Sequence, residues 1–187
     1  QRSPEPGAHA PVLGDPPLAC ARVSCLRRAV GGMNGMRQEP SNATGTGVSV
    51  VLISFNEEKR ISACLESVRW ADEIIVVDSG SSDATREIAR RYTDLVFEVP
   101  WQGFGPQKQS AVDRASHRWV FNVDCDERVA EELAAEIRKI VGLGSGPCAY
   151  SVPRKTYIGA KWIRHACWYP DPTIRLFEKT KGRYSAS

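Results

Sequence analysis

No glycine-rich phosphate loop occurs in these 187 residues: neither G-x-G-x-x-G nor G-x-x-x-x-G-K-[ST] can be found. The first absence removes the dinucleotide-binding dehydrogenases and the second the P-loop nucleotidases, because both hold phosphate on backbone amides that only those glycines leave accessible. The six cysteines (Cys20, Cys25, Cys64, Cys125, Cys148, Cys167) include no C-x-x-C pair, which excludes zinc knuckles and dithiol redox motifs and predicts six reduced thiols in a cytosolic setting. No apolar run reaches the roughly 18 to 20 residues that cross a bilayer. The Cys20–Val30 stretch is mildly basic and apolar but lacks a signal-peptide core and cleavage site.

What is present divides unevenly. Residues 1–47 hold 13 prolines and glycines without sustained periodicity, so they are expected to be disordered or translated upstream sequence, with Met33 and Met36 as candidate starts. The net charge is +3, but residues 153–187 carry eight basic and two acidic side chains against 12 and 17 in residues 48–152. An acidic body needs a cation before it can hold phosphate, and a basic aromatic end suits an anionic glycolipid or peripheral contact with a membrane surface. A solvated basic face is the plainer account of that end.

From Val48 the pattern becomes strands alternating with helices. Val48–Ile53, Glu73–Asp78, Leu95–Phe97 and Arg118–Val123 read as short buried strands. Between and after them, helices are predicted over about Glu57–Trp70, around Ala84–Tyr92, within Gly103–Arg118, and over Val129–Ile140 with Gly142 and Gly144 as stops. Such alternation predicts an α/β fold, a mostly parallel sheet with helices on both faces, and ligands at the carboxyl ends of its strands. The polar residues gather there: Ser54 and Asn56 after the first strand, Asp78 after the second, Asp124 and Asp126 after the fourth. Strand alternation sends Asp124 and Asp126 to the same side, where they can converge on one hard divalent cation, Mg²⁺ or Mn²⁺, while Cys125 turns toward packing. A solvated acidic turn is the alternative.

Four ordered segments carry a family resemblance: Val48–Glu58, Asp78-Ser79-Gly80-Ser81-Ser82-Asp83-Ala84-Thr85, Gly105-Pro106-Gln107-Lys108-Gln109 and Asp124-Cys125-Asp126-Glu127. Together they resemble the GT-A glycosyltransferases of family 2. Trp168-Tyr169-Pro170-Asp171 and Arg175-Leu176-Phe177 extend the likeness toward the lipopolysaccharide core glycosyltransferases of the WaaE/KdtX type. The resemblance implies a GT-A core over 48–152 and the start of an incomplete acceptor-side region over 153–187. It implies that Phe55 and Glu57 line a nucleoside pocket, that Asp78 accepts from the base, that Lys108 lies near the diphosphate, and that Asp126 holds the metal. Asp124 then contacts ribose or sugar with a secondary metal role, and Asp171 is the base of an inverting transfer. The expected substrates are a nucleotide-diphosphate sugar, UDP-glucose as the best guess, and a lipopolysaccharide core or related glycolipid. The expected setting is cytoplasmic, at the inner face of the cytoplasmic membrane, with no nucleic-acid partner.

On the residues alone, the alternatives are a helix-start charge for Glu57, a turn cap for Asp78, a surface cation for Lys108 and a structural acid paired with Arg175 for Asp171. Asp83 suits a helix cap better than a ligand contact. Trp162, Trp168 and Tyr169 either stack on sugars or fill the core. Competing readings are a non-catalytic nucleotide- or glycolipid-binding module and a sugar nucleotidyltransferase, although the latter's glycine-rich, arginine-containing loop after the first strand is missing.

Overall fold

The computed structural model describes residues 12–13, 47–143, 147–155, 157–158, 161–162 and 171–185. The elements in chain order are β1 (Val12–Leu13), β2 (Val48–Ser54), α1 (Ile61–Ser67), β3 (Glu73–Asp78), α2 (Thr85–Ala89), β4 (Val96–Glu98), α3 (Phe104–Arg114) and β5 (Trp119–Asn122). They are followed by β6 (Arg128–Val129), α4 (Glu131–Gly142), β7 (Ala149–Lys155), β8 (Tyr157–Ile158), β9 (Lys161–Trp162) and β10 (Asp171–Glu178). Among the described residues one sheet has the order β4-β3-β2-β5-β10-β7-β1-β6, and β8 pairs with β9 apart from it.

The first half of that sheet is parallel, as the alternation of strands and helices requires. β2 pairs in parallel with β3 on one side and β5 on the other, and β3 with β4. Their near-continuous apolar runs follow from burial on both faces. Along β2, Val48, Val50 and Leu52 pack with Ile61 and Leu65 of α1 and with Leu133 and Ile137 of α4. Val51 joins Ile75 and Val77 of β3 against Ala111 and Val112 of α3 on the other face. Each fully buried aliphatic side chain of this kind contributes about 1.5–3 kcal/mol relative to exposure.

The second half is mixed. β10 lies between β5 and β7 and is antiparallel to both, with a register shift between Ile174 and Leu176. β7 runs across position 152, so the residues on either side of the expected boundary between core and acceptor region share one strand. Of the first 46 residues the structure describes Val12–Leu13, which pair with β6 and β7.

α1 begins at Ile61 rather than Glu57 for a local reason. The amides of Asn56, Glu57 and Glu58 donate to Ser81 Oγ (2.8 Å), Thr85 Oγ1 (2.7 Å) and Asp83 Oδ2 (3.2 Å), in the turn after β3 and the first residue of α2. Side chains of a neighbouring turn thus satisfy donors that a longer helix would have left unpaired. Asp83 Oδ1 also accepts from Thr85 N at 3.0 Å, but the N-cap position of α2 is Ala84, one residue later than the cap expected at Asp83. Cys64 and Cys125 are free and buried, whereas Cys148 is disulfide-bonded with a partner outside the described residues. The expectation of six reduced thiols therefore fails at Cys148, since a search for C-x-x-C detects only cysteines close in sequence.

Candidate active site

A cleft of about 620 Å³ opens at the carboxyl ends of β2 and β5. Its floor is the segment after β5, and here the strand-alternation argument needs correction. β5 ends at Asn122, and residues 124–127 close a tight turn in which Glu127 N donates to Asp124 O at 2.9 Å. In the reverse direction Asp124 N donates to Glu127 Oε2 at 3.0 Å. The two aspartates are therefore placed by turn geometry, and they meet different neighbours.

Asp124 is clamped by two cations. Lys108 Nζ, from α3, donates to its Oδ1 at 2.8 Å, and Arg175 Nη2, from β10, donates to its Oδ2 at 2.9 Å. Burial pushes the Asp124 carboxyl up, but Arg175 and Lys108 more than reverse this and hold it below the ordinary aspartate value. Arg175 is itself 2% exposed, and its guanidinium also donates to Asn122 Oδ1 (3.1 Å) and Glu127 Oε1 (2.5 Å). Burial and the neighbouring Asp124 charge push the Glu127 carboxyl up, although Arg175 and Arg154 oppose them.

Asp126 and Glu57 both line the cleft. Asp126 makes no hydrogen bond or ion pair among the described residues, while Glu57 Oε2 stands 3.5 Å from Arg60 Nη1. The Glu57 carboxyl is raised, chiefly by burial and then by the Asp126 charge, against the lowering influence of Arg60. Cys125, between the two aspartates, also reaches the cleft wall while its Sγ donates to the Ile53 carbonyl at 3.2 Å, which ties the turn to the end of β2.

Asp78 is placed differently from its neighbours. It is fully buried, its Oδ1 accepting from Gly80 N (3.0 Å) and Ser81 N (2.7 Å), its Oδ2 from Ser54 Oγ (2.7 Å) and Ser81 Oγ (2.6 Å). The carboxylate organises the turn, and Ser79 is the residue of that turn that lines the cleft. Gly80 holds φ +91°, a conformation that favours glycine and lets the chain fold back over Asp78.

The structure thus brings Phe55, Glu57, Lys108, Asp124 and Asp126 to one cleft or its immediate wall. Asp171 contributes the first residue of β10, in register with Arg154, and its side chain lies outside the described residues, as do those of Trp162, Trp168 and Tyr169. Sequence reasoning assigned no site role to Arg175, Glu127, Trp101 or Phe104. A signal for Arg175 was available: a lone arginine inside Ile174–Phe177 must find carboxylates if that run is buried, and the acidic 124–127 segment supplies them.

Residues 49–182 match Glycosyl transferase family 2. The chain belongs to this family. It is 31% identical over 145 residues to the lipopolysaccharide core biosynthesis glycosyltransferase LpsC of Rhizobium meliloti, covering 75% of this chain and 54% of that protein. An uncharacterized glycosyltransferase of Rickettsia typhi is 40% identical over 94 residues, covering 50% of this chain and 32% of that one. Among solved structures, S. aureus TarS 1–349 in complex with UDP-GlcNAc aligns with a TM-score of 0.47 at 26% identity, over 52% of this chain and 31% of its own. Glucosyl-3-phosphoglycerate synthase from Mycobacterium tuberculosis in complex with Mg²⁺ and UDP aligns with a TM-score of 0.39 at 30% identity, over 42% and 33%. The chain spans about a third to a half of the length of these curated relatives. Its fold is that of the GT-A glycosyltransferases.

Whether this family 2 chain fits a divalent cation is tested by its donor set. Among the described residues no three His, Cys, Asp or Glu side chains form a cage. Asp126 nevertheless presents a carboxylate with no hydrogen bond or ion pair there, and Glu57 beside it is destabilised as an anion. Hard oxygen donors of this kind fit Mg²⁺ or Mn²⁺, which take one or two protein carboxylates and complete their shell with phosphate oxygens and water.

Proposed function

We propose that this chain is the donor-binding part of an inverting family 2 glycosyltransferase of the WaaE/KdtX type, one that moves a sugar from a nucleotide-diphosphate donor to a lipopolysaccharide core or related glycolipid. The observation that carries the reading is the grouping of Glu57, Asp124 and Asp126 at the strand ends of one cleft. UDP-glucose is the proposed donor. A lipopolysaccharide acceptor is supported by the likeness to LpsC over three quarters of the chain.

Asp126 would hold the cation, which when bound neutralises charge on the departing diphosphate. Phe55 and Glu57 flank the nucleoside, and Lys108 is positioned to turn from Asp124 toward an incoming phosphate anion. Arg175 keeps Asp124 oriented and ionised while that exchange occurs. Asp171 is proposed to take the proton of the acceptor hydroxyl. Asp78 serves the site through its turn, by setting Ser79 at the cleft. Exposed Lys181 and Arg183, near the basic end of the chain, suit an anionic glycolipid at the inner face of the cytoplasmic membrane. Among the described residues no helix is long and apolar enough to cross a membrane.

Calorimetric titration with UDP, GDP and ADP, with and without Mn²⁺, tests the reading. Metal-dependent binding lost in Asp126→Ala is the expected result. Absence of any nucleotide binding would overturn it in favour of a glycolipid-binding module, and undiminished metal-dependent binding in the variant would remove Asp126 from the cation site.

A further inference from the structure

Among the described residues β6 has one strand neighbour, and it comes from far away in the sequence. β1 lies between β7 and β6, parallel to β6 with Val12 opposite Arg128 and Leu13 opposite Val129, and antiparallel to β7 with Val12 opposite Lys155 and Leu13 opposite Arg154. In the sheet order β6 and β7 are therefore joined through β1 rather than to each other. Both flanks reach the 124–127 turn: Arg128 follows Glu127 directly, and Arg154 Nη1 stands 3.8 Å from Glu127 Oε1. Val129 N donates to Ser67 Oγ of α1 at 3.0 Å, so Ser67 and the β1 backbone share the main-chain groups of β6.

Val12 and Leu13 are bounded in the sequence by Pro11 and by Gly14-Asp15-Pro16-Pro17, residue types that start and stop strands. A further 33 residues separate Leu13 from Gly47. Closing a connection of that length costs conformational entropy, which a ladder of two residues offsets only narrowly. A strand held on such terms exchanges between docked and undocked, unlike β2 and β3, whose seven and six residues run through the core. When it leaves, β6 and β7 face each other across a gap with unpaired main-chain donors and acceptors. That is the feature that captures an extended segment by strand addition.

We propose that β6 and β7 form a strand-docking slot beside the 124–127 turn, that the Val12–Leu13 segment of the same chain is its occupant, and that docking holds the turn in the form that sets Asp126 at the cleft. The ladder runs through main-chain groups, so the slot reads an extended backbone carrying N–H donors rather than particular side chains. Coupling to the site follows from chain continuity. Release of β6 from β1 loosens the carboxyl-terminal end of the turn, while Arg175 still holds Glu127. A turn that is competent only when β1 is docked binds its ligand with an affinity reduced by the docked fraction. This coupling rests on the reading of the cleft as a nucleotide-sugar site; the docking does not.

Hydrogen exchange on the full 187-residue chain, read at Arg128–Val129 and Arg154–Lys155, tests the docking without any ligand. Val12→Pro with Leu13→Pro removes both main-chain donors of β1 and should speed exchange at both sites about tenfold or more, with β2 and β3 protected as in the wild type. Val12→Ile with Leu13→Val keeps the donors and should keep the protection. Unchanged exchange in the proline variant would overturn the docking, and loss of protection throughout β2 and β3 would make β1 a part of the core rather than a docked strand. Protection should be equal at chain concentrations about fiftyfold apart; a rise with concentration would give the slot to a second copy's strand and overturn the occupant named here. Calorimetry with UDP and Mn²⁺ reads the coupling, with the proline variant expected to bind about fivefold or more weakly than the wild type. Wild-type affinity alongside accelerated exchange would overturn the link to the turn. A wild-type chain that binds no UDP would bring down the donor-site reading and that link with it, while the exchange data would still decide the docking.

Discussion

The Arg175 guanidinium lies against the Asp124 carboxylate, Nη2 donating to Oδ2 at 2.9 Å from a side chain only 2% exposed. The same nitrogen donates to Glu127, so one buried cation, brought by β10, fixes both acids at the ends of the 124–127 turn. Removing one partner of a buried ion pair strands the other, which costs more than the pair itself contributes. Arg175→Met is therefore expected to destabilise the chain by about 3–5 kcal/mol in urea unfolding. Adding Glu127→Gln to that variant should recover part of the loss, since it removes the stranded charge. A single-variant loss below about 1 kcal/mol would mean that the turn does not depend on Arg175.

This network also shows where the sequence was legible and where it was not. The parallel half of the sheet could be read because β2, β3 and β5 are continuous apolar runs set among helical periodicities. The strand-end acids could be located for the same reason. Their orientations could not, because Asp124 and Asp126 sit in a turn whose geometry depends on Glu127 and on Arg175, 48 residues beyond it. β10 was hidden similarly: its Pro172, Thr173 and Arg175 interrupt the strand pattern, and only antiparallel pairing between β5 and β7 gives that arginine its buried partners. Asp78 was placed at the correct strand end, but its hydrogen bonds with Ser54 and Ser81 turn it inward, a distinction that residue type alone does not carry.

At the opposite end of the sheet Glu73 gives a pH dependence of known sign. Burial pushes its carboxyl up, but bonds from Ser49 Oγ (2.5 Å) and Ser116 N (2.9 Å), with His117 nearby, bring it below the ordinary glutamate value of 4.5. A folded-state value below the unfolded one means that the stabilisation is present above about pH 4.5 and is lost as the pH falls through the lower folded value. Urea midpoints measured from pH 7 down to pH 3 should therefore fall less steeply for Glu73→Gln than for the wild-type chain. Identical slopes would remove Glu73 from the acid response.

Lys108 separates donor binding from stability. Its pair with Asp124 is partly exposed, at 18% and 31%, so Lys108→Met should change stability by no more than about 1 kcal/mol. If Lys108 meets the diphosphate, the same substitution should weaken UDP binding about tenfold or more, as loss of a charge-assisted hydrogen bond does. Calorimetry beside thermal unfolding gives both quantities. A large stability loss with unchanged UDP affinity would assign Lys108 to the scaffold.

Asp171 begins β10 opposite Arg154 of β7, and Arg154 Nη1 stands 3.8 Å from Glu127 Oε1. Four residues of extended chain separate Asp171 from Arg175, about 13 Å at strand rise, so the two belong to different regions of the strand. A base acts on the acceptor and not on the donor, whereas an acid that supported the 124–127 turn through Arg154 would alter donor binding when changed. Asp171→Asn is therefore expected to leave UDP affinity within about twofold and to slow single-turnover transfer from UDP-glucose to a lipopolysaccharide core acceptor by roughly 10²–10⁴. The two measurements have opposite meanings if they move together. Loss of UDP affinity in step with rate would make Asp171 part of the donor site, and a rate equal to wild type would place the base elsewhere.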